Sequence, residues 1–306
     1  MPAHPPSPSV GIAQTVGVIG QDERVTTATA GVLRVLGPRD LDEVRALLAV
    51  DPVAHCFVAS RVLESRLDSW RLGGELWGWD CDGSLTSLLY VGANLVPVSL
   101  TAEARRAFVD RCRRIGRRSS SIVGPADEAL ALWSDLAPSW GPAREVRPRQ
   151  PLMSLHGPPS VAPDPGVRLV REDELDVLVP ACVAMFTEEV GVSPLAGGAA
   201  RAYRARIAEL VRQGRAFARI EGGRVLFKAE VGAVGDGVCQ VQGVWVAPEE
   251  RGRGLAAPGM AAVSLLSQEG IAPVVSLYVN DYNTAARRVY DRVGFHDVGL
   301  LATVLF

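Results

Sequence analysis

The chain has 306 residues, a formal net charge of -2 and a pI near 6.1. This near-neutral balance provides no basic surface field for general binding to nucleic-acid phosphates. Hydrophobic residues make up 48% and charged residues 22%, which is ordinary for a globular protein. No stretch is both long and apolar enough to cross a bilayer, so we expect no membrane partner. The length predicts two domains.

The cysteine and histidine patterns exclude two further classes. Five cysteines are an odd number, are widely spaced and form no Cys-x-x-Cys pair, which argues against a disulfide framework and a zinc knuckle. The four histidines form no His-x-x-x-His pair, so no metal site is predicted. The N-terminus lacks the basic start and apolar core of a signal peptide. We therefore expect reduced cysteines in a cytoplasmic protein without a metal.

The first half begins after a weakly patterned segment. Residues 1–30 are rich in Pro, Thr and Ala and predict a loosely ordered extension. Residues 31–156 then alternate strand-like and helix-like segments, with Asp82-Gly83 as a hairpin turn. A helix predicted over Ala102–Ile115 bears five arginines, a pattern typical of a solvated helix face. The half closes on the strand-like run Gln150–Leu155. We interpret residues 31–156 as one domain.

Residues 157–166 contain four prolines, which neither a helix nor a central strand can absorb. This segment predicts a linker. Residues 167–306 then repeat the order of the first half: strand, helices, strands, helix, strand, helix, strand. The repeated order indicates an internal duplication and a second domain at 167–306.

One stretch of the second half predicts a phosphate-binding turn. Val244, Trp245 and Val246 form an apolar strand that leads through Pro248 into a glycine-bearing helix start. The residues of that turn and helix start are Arg251, Gly252, Arg253, Gly254, Leu255 and Ala256. The two glycines can adopt positive φ, so backbone N–H groups can converge on an anion at the helix N-terminus.

This run resembles motif A of the GNAT superfamily of acetyl-CoA-dependent N-acetyltransferases: Arg or Gln, two residues, Gly, one residue, then Gly or Ala. Arg251, Gly254 and Ala256 fill that pattern. The later run is similar to the second GNAT signature, Asn-x-x-Ala-x-x-apolar-Tyr followed by Gly-Phe. Its matching residues are Asn283, Ala286, Val289, Tyr290, Gly294 and Phe295. The resemblance implies an α/β (α+β) fold of two GNAT-like domains, each with a mixed, mainly antiparallel central sheet flanked by helices.

The resemblance also implies acetyl-CoA as the acetyl donor. The backbone of Arg251–Ala256 suits its pyrophosphate, and the edge of Val244–Val246 suits its pantetheine amides. Tyr290 is the expected general acid for the thiolate leaving group, its alternative being a packed core tyrosine. Asn283 is expected to hydrogen-bond the cofactor arm, to cap the following helix, or both.

The general base is less evident from the residues. In some GNAT enzymes a Glu on the strand before motif A is the base; this strand has Gln240 and Gln242 instead, and an amide cannot accept the proton of an amine. Glu230 is the nearest strand carboxylate and the candidate base; its alternative is a structural pairing with Lys228. Glu188 and Glu189 are candidates for binding the amine, or else a solvated acidic pair. A chain of waters without a dedicated base is also open.

The first half lacks these chemical residues. Aligning Ala129 with Ala286 places Trp133 at the position of Tyr290 and Ala126 at that of Asn283. The segment 94–101, before the helix predicted over Ala102–Ile115, contains no glycine. An indole cannot donate as the phenol would. The N-terminal domain is therefore predicted to be degenerate, with one active site per chain.

We expect an N-acetyltransferase that moves an acetyl group to a primary amine by direct attack in a ternary complex. One alternative is a non-catalytic acyl-CoA-binding sensor, because the strand lacks its Glu. Another is transfer from a longer acyl-CoA or an aminoacyl donor. The acceptor can be a small-molecule or peptide amine, no nucleic-acid partner is expected, and the oligomeric state is left open.

Overall fold

The computed structural model describes residues 31–306. The predicted extension of residues 1–30 lies outside the described residues. The described strands are β1 (Val32–Val35), β2 (Glu75–Cys81), β3 (Ser84–Val91), β4 (Asn94–Val98), β5 (Ser121–Pro125), β6 (Glu145–His156), β7 (Val167–Leu169), β8 (Ala216–Glu221), β9 (Arg224–Val234), β10 (Val238–Val246), β11 (Val274–Tyr278) and β12 (His296–Leu305). The α-helices are α1 (Leu41–Leu48), α2 (Cys56–Ser65), α3 (Ser69–Leu72), α4 (Ala102–Ile115), α5 (Ala126–Trp140), α6 (Leu175–Val190), α7 (Ala200–Arg212), α8 (Ala256–Gly270) and α9 (Thr284–Val293).

Local chemistry accounts for several element ends. Asp82 and Gly83 both have positive φ, 52° and 78°, as a two-residue hairpin turn between β2 and β3 requires. The Thr101 side chain accepts a hydrogen bond from Ala104 N at 3.2 Å and so caps α4. Gly294, at φ 108°, ends α9 in the left-handed region. These ends lie where the sequence pattern predicts them.

The strands form one sheet in the order β1-β2-β3-β4-β5-β12-β6-β11-β10-β9-β8-β7. β1 to β5 follow in chain order from one end of the sheet and β7 to β11 from the other, with β12 and β6 at the centre. The two halves are therefore built alike. The neighbours β4 and β5 are parallel, as are β10 and β11. The other strand pairs described are antiparallel. The predicted fold class, a mixed and mainly antiparallel sheet flanked by helices, is confirmed.

The last strand of each half lies beside a strand of the other half. β12 pairs with β5, Leu301–Leu305 against Ser121–Pro125. β6 pairs with β11, Leu152–His156 against Val274–Tyr278. β6 and β12 also pair with each other, so the sheet runs unbroken between the halves. The predicted linker, 157–166, lies between β6 and β7.

Packing follows this exchange of strands. Ala302 and Val304 of β12 are fully buried in a core cluster built by α4, α5 and strands of the first half. Met153 and Leu155 of β6 are buried in the core of the second half, with α8, β9 and β11. Each half therefore completes its core with side chains from the other.

The sequence pattern missed three features of the fold. It assigned no strand at β4 and no helix at α3, which has four residues. It also began the first half's last strand at Gln150, whereas β6 begins at Glu145. Charged and proline residues alternate over the first part of β6, which hides it from a search for apolar runs.

Candidate functional site

A cleft opens in the sheet of the second half where β10 and β11 separate. The two strands pair only over Val238–Gln240 and Val274–Ser276. β10 continues to Val246 and β11 to Tyr278, so the last part of β10 has no partner on that side among the described residues. The predicted cofactor residues Val244, Trp245 and Val246 lie on this free edge. Their backbone groups can pair with the amides of an extended ligand.

A β-bulge shapes the same edge. The register between β10 and β9 shifts between Gln242 and Trp245, and Gly243 has φ 61°. A Cβ at Gly243 would lie 3.1 Å from both Lys228 Nζ and Met185 Cε, so the position favours glycine for space as well as conformation. The bulge bends the strand next to the cleft, which is a common use of bulges near active sites.

The glycine-bearing turn follows β10 directly. Gly252 and Gly254 have φ 75° and 80°, and all of Arg251–Gly254 is exposed. Within residues 31–306, the backbone N–H groups of Gly252, Arg253, Gly254 and Leu255 have no hydrogen-bond acceptor. α8 begins at Ala256 without a side-chain cap and without an acidic residue in its first turn. The turn therefore presents unpaired donors at the positive end of a 15-residue helix.

The two arginines of the turn are paired with carboxylates. Arg251 donates to both oxygens of Glu188 at 2.8 Å and to the carbonyl of Val246 at 3.1 Å. Arg253 donates to Glu250 at 2.9 Å. The hydrogen bonds from Arg251 hold the pKa of Glu188 below its ordinary value. Glu188, predicted to bind the amine, thus contacts the turn predicted to bind phosphate.

Tyr290 lies on the inner face of α9 and is 7% exposed. Its hydroxyl has no hydrogen-bond partner among the described residues, yet it is not a fully enclosed polar atom. Burial raises the pKa of Tyr290, and the negative charge of Glu189 adds to the rise. The phenol therefore keeps its proton across the physiological range. Asn283 caps α9, accepting from Ala286 N at 3.1 Å, and remains exposed.

Glu230 lies in a buried polar cluster beneath the bulge. Lys228 Nζ donates to its Oε2 at 3.1 Å and Gln242 Nε2 to its Oε1 at 2.9 Å. Burial raises the pKa of Glu230, but Lys228 and the other donors outweigh it and hold the pKa below its ordinary value. Lys228 is 1% exposed and also donates to Cys182 Sγ at 3.4 Å. The two oxygens of Glu230 are thus both engaged.

Glu189 lies at the end of α6, within a chain of polar side chains that begins on the exchanged strand. Arg147 of β6 donates to Glu189 Oε1 at 2.8 Å, and Asn280 Nδ2 donates to the same oxygen at 3.3 Å. Gln150 Nε2 donates to Asn280 Oδ1 at 2.9 Å, and Gln150 Oε1 accepts from Thr303 Oγ1 at 2.6 Å. The first half therefore contributes Arg147 and Gln150 to the cleft of the second.

Gly243, Arg147, Gln150 and Asn280 are site residues that the sequence did not predict. An isolated glycine inside a strand pattern is a signal for a bulge, and it was available at Gly243. No local signal places Arg147 or Gln150 at this cleft, because their position depends on the exchange of β6.

The corresponding region of the first half lacks the donors. α4 follows β4 without a glycine, and Thr101 caps it. Trp133, aligned with Tyr290, packs against Phe306 with ring centroids 5.5 Å apart. Across residues 31–306, no group of three or more His, Cys, Asp or Glu is arranged to hold a metal ion. None of the helices described there is of a length and apolarity that would span a membrane.

Comparison with known proteins agrees with this geometry. Residues 198–295 match the acetyltransferase (GNAT) family, and residues 74–178 match a domain of unknown function, DUF4081. No curated protein matches the chain.

Several solved structures are similar over nearly the whole chain, including the following three. A Drosophila protein has 16% identity and a TM-score of 0.63, covering 90% of this chain and 99% of its own. A GCN5-related N-acetyltransferase from Sphaerobacter thermophilus has 17% identity and a TM-score of 0.58, covering 89% and 95%. A tandem GNAT protein from the clavulanic acid biosynthesis pathway has 15% identity and a TM-score of 0.56, covering 90% and 98%.

The structural similarity extends over both halves of the chain. The free edge of β10, the glycine-bearing turn and Tyr290 of α9 occur together in the second half. The match to the acetyltransferase (GNAT) family thus lies in the second half, at residues 198–295, and the fold of the whole chain is similar to that of a tandem GNAT protein.

Proposed function

We propose that this protein is an N-acetyltransferase that uses acetyl-CoA as the donor and a primary amine as the acceptor. The observation that carries the proposal is the glycine turn, where four unpaired N–H groups meet the start of α8 beside a free strand edge. This arrangement fits a pyrophosphate joined to an extended arm bearing amides. Acetyl-CoA combines both groups, with the thioester at the far end.

The residues of the cleft support direct attack by the amine. Tyr290 retains its proton and has a free hydroxyl, which suits donation to the departing thiolate sulfur. The negative charge of Glu189 contributes to the raised pKa of Tyr290. We propose that the acceptor amine binds beside Glu189. Glu188 lies at the mouth of the same cleft. The transfer forms the amide N–C bond, breaks the C–S bond and leaves CoA with the proton from Tyr290.

The proton of the amine needs an acceptor. Glu230 is the strand candidate, but its ion pair with Lys228 makes it a weak base and favours a structural role. Removal through water at Glu189 fits the geometry better, because this carboxylate is exposed and, although Arg147 and Asn280 engage its Oε1, its Oε2 has no hydrogen-bond partner among the described residues. The five cysteines are free in the described residues, which supports a cytoplasmic location.

Release of the CoA thiol from acetyl-CoA tests the proposal when measured with a panel of small amines and peptide α-amines. Amine-dependent release that falls in Tyr290→Phe supports it. Tight binding of acetyl-CoA without turnover on any amine favours the sensor function instead. Faster turnover with a longer acyl-CoA, or with an aminoacyl donor, would identify that compound class as the donor in place of acetyl-CoA.

A further inference from the structure

The first half contains a cavity at the place that corresponds to the cofactor cleft of the second. β4 and β5 pair only at Asn94–Leu95 and then separate, as β10 and β11 do. A cavity of about 270 Å³ lies beyond this point, between the ends of β4 and β5. Residues of the connection between α1 and α2, of the start of α5, and of β6 and β12 close it. Its lining is Val50, Asp51, Ala54, His55, Ser99, Pro125, Glu128, Leu152, Gly299, Leu300 and Leu301.

Apart from the Ser99 hydroxyl, the polar side chains of this cavity, Asp51, His55 and Glu128, present hydrogen-bond acceptors. His55 is 5% exposed, and its Nδ1 lies 3.1 Å from the Leu48 carbonyl. Because a carbonyl only accepts, the proton is on Nδ1 and Nε2 presents a lone pair. Nε2 has no hydrogen-bond partner within residues 31–306 and is not sealed off. Burial lowers the pKa of His55, which keeps the ring neutral.

One oxygen of Glu128 adds an acceptor that lacks a donor. Its Oε2 is buried without a hydrogen-bond partner among the described residues. Burial raises the pKa of this carboxyl, and the facing backbone N–H groups of Leu100 and Ser99 oppose that rise. Asp51 contributes a second carboxylate, one oxygen of which accepts from Ala54 N at 2.9 Å. An unsatisfied buried carboxylate oxygen is costly, so a donor that reaches it is favoured.

The lining contains no lysine or arginine, and apolar side chains from three strands form the rest of the wall. The polar groups are not arranged as a metal site. An anion would meet two carboxylates and a histidine lone pair, so acyl-CoA phosphates are disfavoured there. An ammonium group on a short alkyl body matches both the acceptors and the apolar wall.

We propose that this cavity, defined by Asp51, His55 and Glu128, binds a small primary alkylammonium ligand. The ammonium group lies against Glu128 and donates to His55 Nε2, and the alkyl body contacts Leu152, Leu300 and Leu301. The site is separate from the acetyl-transfer cleft and does not depend on the function proposed for that cleft.

Titration of the full chain with butylamine hydrochloride, followed by ligand-detected NMR, tests this site. 1-Butanol and butyrate provide neutral and anionic probes of the same size. We expect saturable binding of butylamine and none of the other two. Glu128→Gln is expected to weaken binding at least about tenfold, as loss of a charged hydrogen bond does. Glu103→Gln, on the exposed face of α4, is the matched control and should leave binding unchanged.

Two further variants separate this cavity from the acceptor cleft and from misfolding. Ala54→Leu fills the cavity without removing a charge and should also abolish binding. Glu189→Gln weakens any binding of an amine in the cleft of the second half, so this variant is the background in which the cavity is tested and should retain saturable butylamine binding. Absence of binding in Glu189→Gln, or binding in that background that survives both Glu128→Gln and Ala54→Leu, would each overturn the proposal.

Discussion

Arg251 and Glu188 form a bidentate ion pair, in which both N–O distances are 2.8 Å. This ion pair joins the glycine turn to the end of α6. The same guanidinium donates to the carbonyl of Val246, on the strand edge proposed for pantetheine. We expect an acyl-CoA that pairs with the Val246 carbonyl to displace the whole Arg251 side chain and so to break its ion pair with Glu188. On this hypothesis the ion pair couples the two sides of the cleft.

Glu188→Gln is therefore expected to tighten the binding of acetyl-CoA. The side chains of the pair are 45% and 52% exposed, and such exposed pairs contribute at most about 1 kcal/mol. Removing the negative charge should lower the Kd for acetyl-CoA by up to about fivefold. Calorimetric titration measures this, with Glu209→Gln on α7, whose Glu pairs with Arg212, as the charge-matched control. An unchanged or higher Kd in Glu188→Gln would contradict the coupling.

Tyr290→Phe tests the general acid. The Tyr290 hydroxyl has no hydrogen-bond partner in the described part of the chain, so its removal should cost little folding stability. Loss of proton donation should lower kcat by about 10²–10⁴-fold with little change in the KM for acetyl-CoA. Because the pKa of Tyr290 is raised, ionisation of this phenol should not limit wild-type activity below about pH 10.

Tyr90→Phe is the matched control for Tyr290. The Tyr90 hydroxyl donates to the carbonyls of Leu72 and Gly73 at 3.2 and 3.3 Å in the first half. Its removal should cost about 1 kcal/mol of stability and leave kcat unchanged. If Tyr290→Phe retains wild-type kcat, or loses activity only in proportion to its unfolding, the tyrosine is a packing residue.

Local sequence signals were enough to predict the glycine turn and α9, because turn chemistry, capping and helical periodicity act over a few residues. Asn283 caps α9, as the sequence pattern predicted. The possible pairing of Glu230 with Lys228 could also be read from the sequence, since residues two apart in a strand share a face.

The exchange of β6 and β12 could not be predicted in this way. Gln150 and Thr303 are 153 residues apart in sequence, yet Thr303 Oγ1 lies 2.6 Å from Gln150 Oε1. β6 and β12 are the corresponding last strands of the two halves, and each could in principle complete either half of the sheet. Because both strands would bury similar apolar residues in either place, the sequence does not reveal which half each strand joins. The cleft residues Arg147 and Gln150 are placed by that choice alone.

Replacing Lys228 and Glu230 singly and together tests whether Glu230 has a structural role or acts as the general base. Each single variant, Lys228→Met or Glu230→Gln, leaves a buried group without its partner and should cost about 3–5 kcal/mol in urea unfolding. The double variant removes both charges and should recover most of that loss. If the pair is structural, acetyl transfer recovers with stability. A double variant that is stable yet inactive would identify Glu230 as the base.

The same pair predicts how stability changes with pH. The folded-state pKa of Glu230 lies below its ordinary value, so the unfolded chain takes up the proton first as the pH falls. The contribution of the pair is full above about pH 4.5 and is lost progressively below it. Urea midpoints between pH 7 and pH 3 should fall less in the double variant than in the wild type. Equal slopes would show that other carboxylates dominate acid unfolding.

Cutting the chain between its halves should leave a stable non-covalent complex. Met153 and Leu155 of β6 complete the core of the second half, while Ala302 and Val304 of β12 complete that of the first. A protease site inserted at Gly157, which lies between β6 and β7, allows the cut to be made on the folded protein.

Neither half should fold alone, because each loses a central strand. Burial of side chains such as Met153 and Leu155 is worth about 1.5–3 kcal/mol each, a large share of the roughly 5–15 kcal/mol that stabilises a domain. The cut protein should elute as one particle and unfold in one transition. Residues 31–156 and 157–306 produced separately should lack cooperative unfolding and regain it on mixing from denaturant. Cooperative unfolding of either isolated half would mean that its own strands suffice, and that the exchange orients the halves without stabilising them.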